Sequence, residues 1–352
     1  MNTGKHKISR HKTKEVNIAG IKIGGDNPII VQSMCNTKTT DVPATVRQIR
    51  QLEESGCELV RITIPDIEAA RCIKQIKQKI SIPLVADIHY NHELAIESMR
   101  QGIDKIRINP GNIPQDKLRL IVEEAKKTKT AIRIGLNGGS LPKEIIKKHG
   151  HSSRALVEGA LSTIKLFESL GFTDIVVSLK SSDIFQTIEA NELLAEKCSY
   201  PIHLGITEAG TIRTGTIKSG IGLGNLLMKG IGDTIRVSLS ADPVEEVIAA
   251  HIMLRSLNLR KGALIVSCPT CGRTTIDVIK TANVLEQKIM KITKPVRVGV
   301  MGCFVNVDEA KIADIGIAGT AKEGILFKNG KILRKVPKQH LIDELLIELN
   351  KL

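Results

Sequence analysis

A chain of 352 residues is too long for one small core and leaves room for a large barrel or for two to three domains. Hydrophobic residues make up 42%, yet no apolar run reaches the roughly eighteen residues of a membrane span, and the polar, basic first fourteen residues lack a secretory core, so a cytoplasmic protein without a membrane partner is expected. The net charge of +14 invites a nucleic-acid reading, but there is no Trp, aromatics are 2%, and the lysines are scattered as in 74–79 and 126–129, which favours a solvated lysine-rich surface or an anionic small substrate over nucleic acid.

Short apolar runs alternate with helical patterns from the start. Residues 29–34 read as a strand. Residues 41–55 then read as a helix with Asp41 at its N-cap, Pro43 in its first turn and Gly56 closing it. Further strands are expected at 59–64, 84–88, 105–109, 131–135, 175–179, 202–206 and 234–238. Helical patterns such as 94–100, 116–126, 155–169 and 184–196 separate most of them, and a last helix starts at Asp242-Pro243 and runs to about 257. Eight strand–helix units predict a parallel sheet with covered faces, and the span from 29 to 257 suits a TIM (β/α)8 barrel; a doubly wound open sheet is the alternative. The Gly220-Ile221-Gly222-Leu223-Gly224 run follows a helical stretch and lacks dinucleotide-loop spacing. Phosphate binding at a helix N-terminus near the last barrel strands stays open.

From about residue 260 the texture changes to a small α+β domain, dividing the chain into 1–259 and 260–352. Strands are expected at 264–267 and 296–300, a helix at 274–287, a hairpin with an Asn-Gly turn at 327–332, and a closing helix at 340–349.

A TIM barrel puts its active site at the C-terminal strand ends, and charged residues recur there. They are Arg61, Asp87 with His89, Arg107 with Asn109, Arg133 with Asn137 beyond, Lys180, Glu208, and Arg236 with Ser238. Arg107 and Asn109 share one face of their strand, as do Arg236 and Ser238. Five cations at one mouth repel one another unless an anion sits among them, and guanidinium forks match phosphate oxygens. Salt bridges to neighbouring helices are the structural alternative, and His89 alone could be a packed core histidine.

The 7 cysteines are an odd number, against a disulfide framework in a reducing setting. Cys35, Cys57, Cys72 and Cys198 stand singly in apolar or helical patterns and read as buried small hydrophobes. Ser267-Cys268-Pro269-Thr270-Cys271-Gly272-Arg273 and Met301-Gly302-Cys303 differ, offering a chelating pair and a third sulfur at a second strand exit. Three thiolates with one weaker position suit a catalytic iron–sulfur cluster, and a structural zinc knuckle suits the same spacing. Two rivals follow from zinc: a non-redox barrel enzyme with a zinc-stabilised appendage, and a zinc-ribbon protein that binds nucleic acid.

Several stretches together resemble the bacterial 4-hydroxy-3-methylbut-2-enyl diphosphate synthase family of the non-mevalonate isoprenoid pathway, in its short two-domain form. They are Val31-Gln32-Ser33-Met34, Pro83-Leu84-Val85-Ala86-Asp87-Ile88-His89, Arg107-Ile108-Asn109-Pro110-Gly111-Asn112, His203-Leu204-Gly205-Ile206-Thr207-Glu208-Ala209-Gly210, Gly232-Asp233-Thr234-Ile235-Arg236-Val237-Ser238, and the two cysteine motifs. The resemblance implies one [4Fe–4S] cluster per subunit on Cys268, Cys271 and Cys303 with a glutamate as fourth ligand. It implies reductive opening of 2-C-methyl-D-erythritol 2,4-cyclodiphosphate, electrons from ferredoxin or flavodoxin, and a homodimer. The family's turn before Glu-Ala is one residue shorter here, in Val305-Asn306-Val307-Asp308-Glu309-Ala310, so Glu309 is the expected ligand and Asp308 the fallback. Arg61, Asp87, Arg107, Asn109, Arg133, Asn137, Lys180, Arg236 and Ser238 are then expected to bind the substrate, with Glu208 as proton donor and His89 second.

Overall fold

The computed structural model describes residues 8–351 other than 140, 142 and 305–312. They form two compact units, one ending at Met253 and the other beginning at Leu254.

The first unit opens with a hairpin, β1 (Val16–Ile18) and β2 (Ile21–Ile23). Eight parallel strands follow: β3 (Ile30–Met34), β4 (Leu59–Thr63), β5 (Leu84–Ile88), β6 (Lys105–Ile108), β7 (Ala131–Asn137), β8 (Ile175–Lys180), β9 (His203–Leu204) and β10 (Thr234–Ile235). Their spatial order is β8-β7-β6-β5-β4-β3-β10-β9, and a parallel bridge between Val177 and Ile202 joins the two ends of that order. The sheet therefore closes into the expected (β/α)8 barrel rather than staying open. The last two strands are shorter than the sequence pattern suggests, two residues each.

Local chemistry fixes the helices. Asp41 caps Val42–Glu54 by accepting from the Ala44 N–H at 3.0 Å, and Asp66, Asn91 and Asp183 cap the helices after β4, β5 and β8 in the same manner. The Gly220–Gly224 run lies inside the helix Ile212–Met228, so it forms no phosphate loop. Cys35, Cys57 and Cys198 are buried as expected, whereas Cys72 is only half-buried on its helix. Burial pushes the Cys35 and Cys57 thiols up to about 12, which leaves them inert.

The hairpin was not legible as a separate element. Its Val16, Ile18 and Ile23 pack with Ile30, Leu59, Val85, Ala131 and Val176 from the first halves of the barrel strands. It plugs the N-terminal end of the barrel with apolar side chains.

The second unit is a five-stranded sheet in sequence order: β11 (Ala263–Ser267), β12 (Val296–Met301), β13 (Ile315–Gly319), β14 (Gly324–Lys328) and β15 (Lys331–Val336). The first three run parallel and the last three antiparallel. Val298, Val300, Ile315, Ile317 and Leu326 pack against Leu285 and Ile289 of the helix Val278–Ile289 and against Leu341, Leu345 and Leu349 of the closing helix Leu341–Asn350. The first of these helices begins four residues later than its apolar pattern suggests, because the Asp277 carboxylate accepts from the Lys280 N–H at 2.9 Å and sets the cap there. The expected hairpin turns at Asn329 and Gly330, both with positive φ.

Candidate functional site: a cationic barrel lumen and a cysteine turn

Barrel interiors are normally filled by branched aliphatic side chains. Here only the layer against the hairpin is apolar. Alternation along the strands points Lys105, Arg107 and Asn109 inward from β6 and its exit, and Arg133, Gly135 and Asn137 inward from β7. Arg61, Asp87, Lys180 and Arg236 face the same space from β4, β5, β8 and the exit of β10.

Asp87 is the hub. Its carboxylate takes Arg107 NH1 at 3.2 Å, lies 4.0 Å from Arg61 Nε and 3.3 Å from His89 Nε2. Burial pushes the carboxyl up, but Arg61, His89 and Arg107 outweigh it and hold it far below the usual carboxylate range. Burial lowers Arg61 to about 10, so it stays charged at neutral pH. Arg107 NH1 also lies 3.0 Å from His89 Nε2, so that ring nitrogen sits between the Asp87 carboxylate and the Arg107 guanidinium.

Two inward glycines make room for these long arms. A Cβ on Gly135 would lie 2.5 Å from Arg107 Nε, and one on Gly205 would lie 2.5 Å from Lys180 Nζ. Lys180 donates to His203 Nε2 at 3.1 Å, and His203 Nδ1 lies 2.7 Å from Thr234 Oγ1. Burial, reinforced by Arg133 for the lysine and by Lys180 for the imidazole, drives both groups toward their neutral forms.

Arg133 is 1% exposed, and its Nε and NH1 have no hydrogen-bond partner among the described residues. Lys105 is fully buried, and its Nζ likewise has none. An unsatisfied buried donor costs about 1–3 kcal/mol, more when charged. Burial and the neighbouring cations disfavour the charged form of both. Arg236 is the one predicted cation that bridges to a helix, with Nε and NH2 each 3.0 Å from a carboxylate oxygen of Glu246. Six basic side chains, Arg61, Lys105, Arg107, Arg133, Lys180 and Arg236, thus meet two carboxylates, Asp87 and Glu246.

The remaining predicted residues sit at the edges. Asn109 is buried and accepts from the Gly111 N–H at 3.0 Å. Asn137 and Ser238 are half-buried at strand exits. Glu208 is exposed in the loop leaving β9, in the left-handed region at φ 53°, a backbone strain that persists where the surroundings enforce it. Sequence reasoning missed Lys105, His203, Gln32 and Glu246. Lys105 lies two residues before Arg107 on one face, a signal that was present; Gln32 is 1% exposed, and neither of its amide atoms has a partner among the described residues.

In the second unit, Cys268 and Cys271 leave β11 and Cys303 leaves β12, its parallel neighbour, so all three exit at one end. The Gly302 N–H donates to Cys268 Sγ at 3.1 Å. The backbone N–H and guanidinium of Arg273 hold the exposed Cys271 thiol below its ordinary range, as a thiolate ligand needs. Cys303 is buried. Among the described residues no three His, Cys, Asp or Glu side chains are gathered into a metal-holding group. The donor chemistry nonetheless fits a thiolate-held metal centre. Glu309, the expected fourth ligand, and Asp308, its fallback, lie outside the described residues.

Comparison with known proteins follows both halves of the chain. Residues 13–251 match the GcpE TIM-barrel domain and residues 264–351 the GcpE protein C-terminal domain. The chain is 56% identical to the 4-hydroxy-3-methylbut-2-en-1-yl diphosphate synthase (flavodoxin) of Caldanaerobacter subterraneus subsp. tengcongensis, over 97% of this chain and 98% of that protein. It is 53% identical to the protein of that name from Geobacillus thermodenitrificans, over 98% of this chain and 93% of that one. Among solved structures, the dihydropteroate synthase of Stenotrophomonas maltophilia aligns with a TM-score of 0.51 at 16% identity, covering 68% of this chain and 97% of its own, a likeness of fold alone.

Proposed function

This chain belongs to the GcpE family, and from that premise we propose how its barrel and its cysteine turn divide one reductive reaction. The enzyme converts 2-C-methyl-D-erythritol 2,4-cyclodiphosphate to (E)-4-hydroxy-3-methylbut-2-enyl diphosphate. Two electrons and one proton enter, the ring opens, and a hydroxyl leaves as water.

The observation that carries the binding half is the buried Arg133 with two unpartnered guanidinium nitrogens among further cations. A diphosphate supplies the anionic oxygens that those donors lack. Arg61, Arg107, Arg133, Lys180 and Arg236 hold the two phosphates, while Asp87 fixes Arg107 and Glu246 fixes Arg236. Asn109, Asn137 and Ser238 border the same mouth and take the ligand's hydroxyl and phosphate oxygens. Glu208 donates the proton. It outranks His89, whose Nε2 is already engaged by Asp87 and Arg107.

Cys268, Cys271 and Cys303 hold one [4Fe–4S] cluster per subunit, with Glu309 or Asp308 as the oxygen ligand. Such a cluster supplies electrons singly and Lewis acidity at its incompletely thiolate-ligated iron, a pairing that zinc lacks. Reduced flavodoxin is the electron donor, with ferredoxin as the substitute, and the working form is a homodimer. Seven free cysteines suit a reducing compartment, the cytoplasm. No described helix is long and apolar enough to cross a membrane.

Anaerobic purification with iron, sulfide and zinc analysis, followed by turnover of the cyclodiphosphate with reduced flavodoxin, tests the reading. Brown protein with iron and sulfide and a linear diphosphate product supports it. Colourless, zinc-only protein overturns it and returns the zinc alternatives, which a salt-dependent nucleic-acid titration then separates.

A further inference from the structure

Met34 closes β3 between the two strands that carry Arg61 and Arg236. It pairs across the sheet with Arg61 of β4, and β10, which leads into Arg236, flanks β3 on its other side. Its sulfur receives both arginines. Arg61 directs Nε and NH2 at Sδ, at 3.0 and 2.9 Å, and Arg236 directs NH1 at it from 3.5 Å. The remaining edge of Arg236 rests on Glu246.

A thioether is an uncharged, weak acceptor. It can orient two guanidinium groups without neutralising either. A carboxylate at this point would orient them as well, but would cancel charge that an anionic ligand needs. An aliphatic side chain would fill the space and remove the acceptor that both forks share. We propose that Met34 is a positioning residue of the anion clamp, an uncharged sulfur that aims Arg61 and Arg236 at the diphosphate and adds no negative charge to that of Asp87 and Glu246. This rests on the assignment of those two arginines to the diphosphate.

The test is calorimetric titration of the cyclodiphosphate into anaerobically prepared holoenzyme without reductant, so that binding is read without turnover. Three variants are compared: Met34→Leu, Met34→Gln and Met34→Glu. Loss of the acceptor in Met34→Leu weakens binding roughly five- to tenfold. Met34→Gln, with an uncharged amide oxygen, stays within about twofold of the unaltered protein. Met34→Glu binds more weakly than Met34→Leu, because it cancels clamp charge. Simple packing ranks them otherwise, with the apolar, similar-sized leucine close to the unaltered protein and both polar variants worse. That ranking, or equal affinities for Met34→Gln and Met34→Glu, overturns the proposal. If Met34→Leu does not fold, the Gln–Glu pair, which differs in charge alone, still decides. Arg61→Ala in the same titration separates the two ideas. Unchanged affinity there sinks the clamp itself, whereas weakened affinity together with the packing order sinks only the role of Met34.

Discussion

Lys180 Nζ lies 3.1 Å from His203 Nε2 inside a barrel that buries both side chains. With Lys180 as donor the imidazole accepts at Nε2, and its Nδ1 proton is left to donate to Thr234 Oγ1. The lysine is held by a neutral ring whose own protonation is suppressed by burial and by that lysine.

This pair predicts acid sensitivity. The folded-state value of His203 lies well below its unfolded value of about 6.5. The unfolded chain therefore takes up the proton first. The stability this contributes is whole above pH ~6.5 and declines as pH falls through the window beneath it. Thermal melts from pH 7.5 to 5 should show that decline, and His203→Gln should flatten it. An identical slope in the variant would remove His203 as its source.

Lys105 predicts the opposite manipulation. It is fully buried with no partner for Nζ among the described residues, and burial lowers its pKa, followed by Arg133 and Arg61. Lys105→Met should raise stability by about 1–3 kcal/mol at neutral pH, read by denaturant unfolding. The folded pKa is depressed, so the unaltered protein gains stability as pH rises toward the unfolded lysine value of about 10.4, and the variant should not.

Arg133→Ala should raise the dissociation constant for the cyclodiphosphate by about tenfold or more, equivalent to about 1.4 kcal/mol or more. Arg133→Lys should restore little of it, because an ammonium cannot offer the fork. Titration of the oxidised holoenzyme reads both values.

Gly135→Ala places a Cβ 2.5 Å from Arg107 Nε. The side chain must shift, at a cost of about 1–3 kcal/mol in stability, and with it the hydrogen bonds to Asp87 and His89. A raised KM with an unchanged iron content is expected from steady-state kinetics and metal analysis.

Cys303→Ser should strip the protein of iron and sulfide, measured after anaerobic reconstitution, while the barrel keeps its affinity for the cyclodiphosphate within a few-fold. Full cluster content in this variant would reassign the third ligand.

The barrel was legible because strict strand–helix alternation leaves few other topologies, and the mouth because charged residues interrupt apolar strands at equivalent positions. Arg107 and Asn109 could be placed on one face by counting in twos. The same count reaches Lys105, which was passed over because a lysine at the start of a strand ordinarily reads as a solvent-facing edge. His203 was hidden similarly, since a histidine in a short apolar run carries no charge signal. Glu246 lies on a helix, and no local pattern links it to Arg236 ten residues earlier. The hairpin at Val16–Ile23 was missed because its strands are three residues each and its turn places Ala19, a residue with no turn preference, at positive φ. The cysteine motifs were plain, but spacing alone does not choose a metal.

The apolar plug formed by Val16, Ile18 and Ile23 has a consequence for traffic. With its floor stoppered by the described residues, traffic through that end is closed, and ligand and product are left to share the opposite rim.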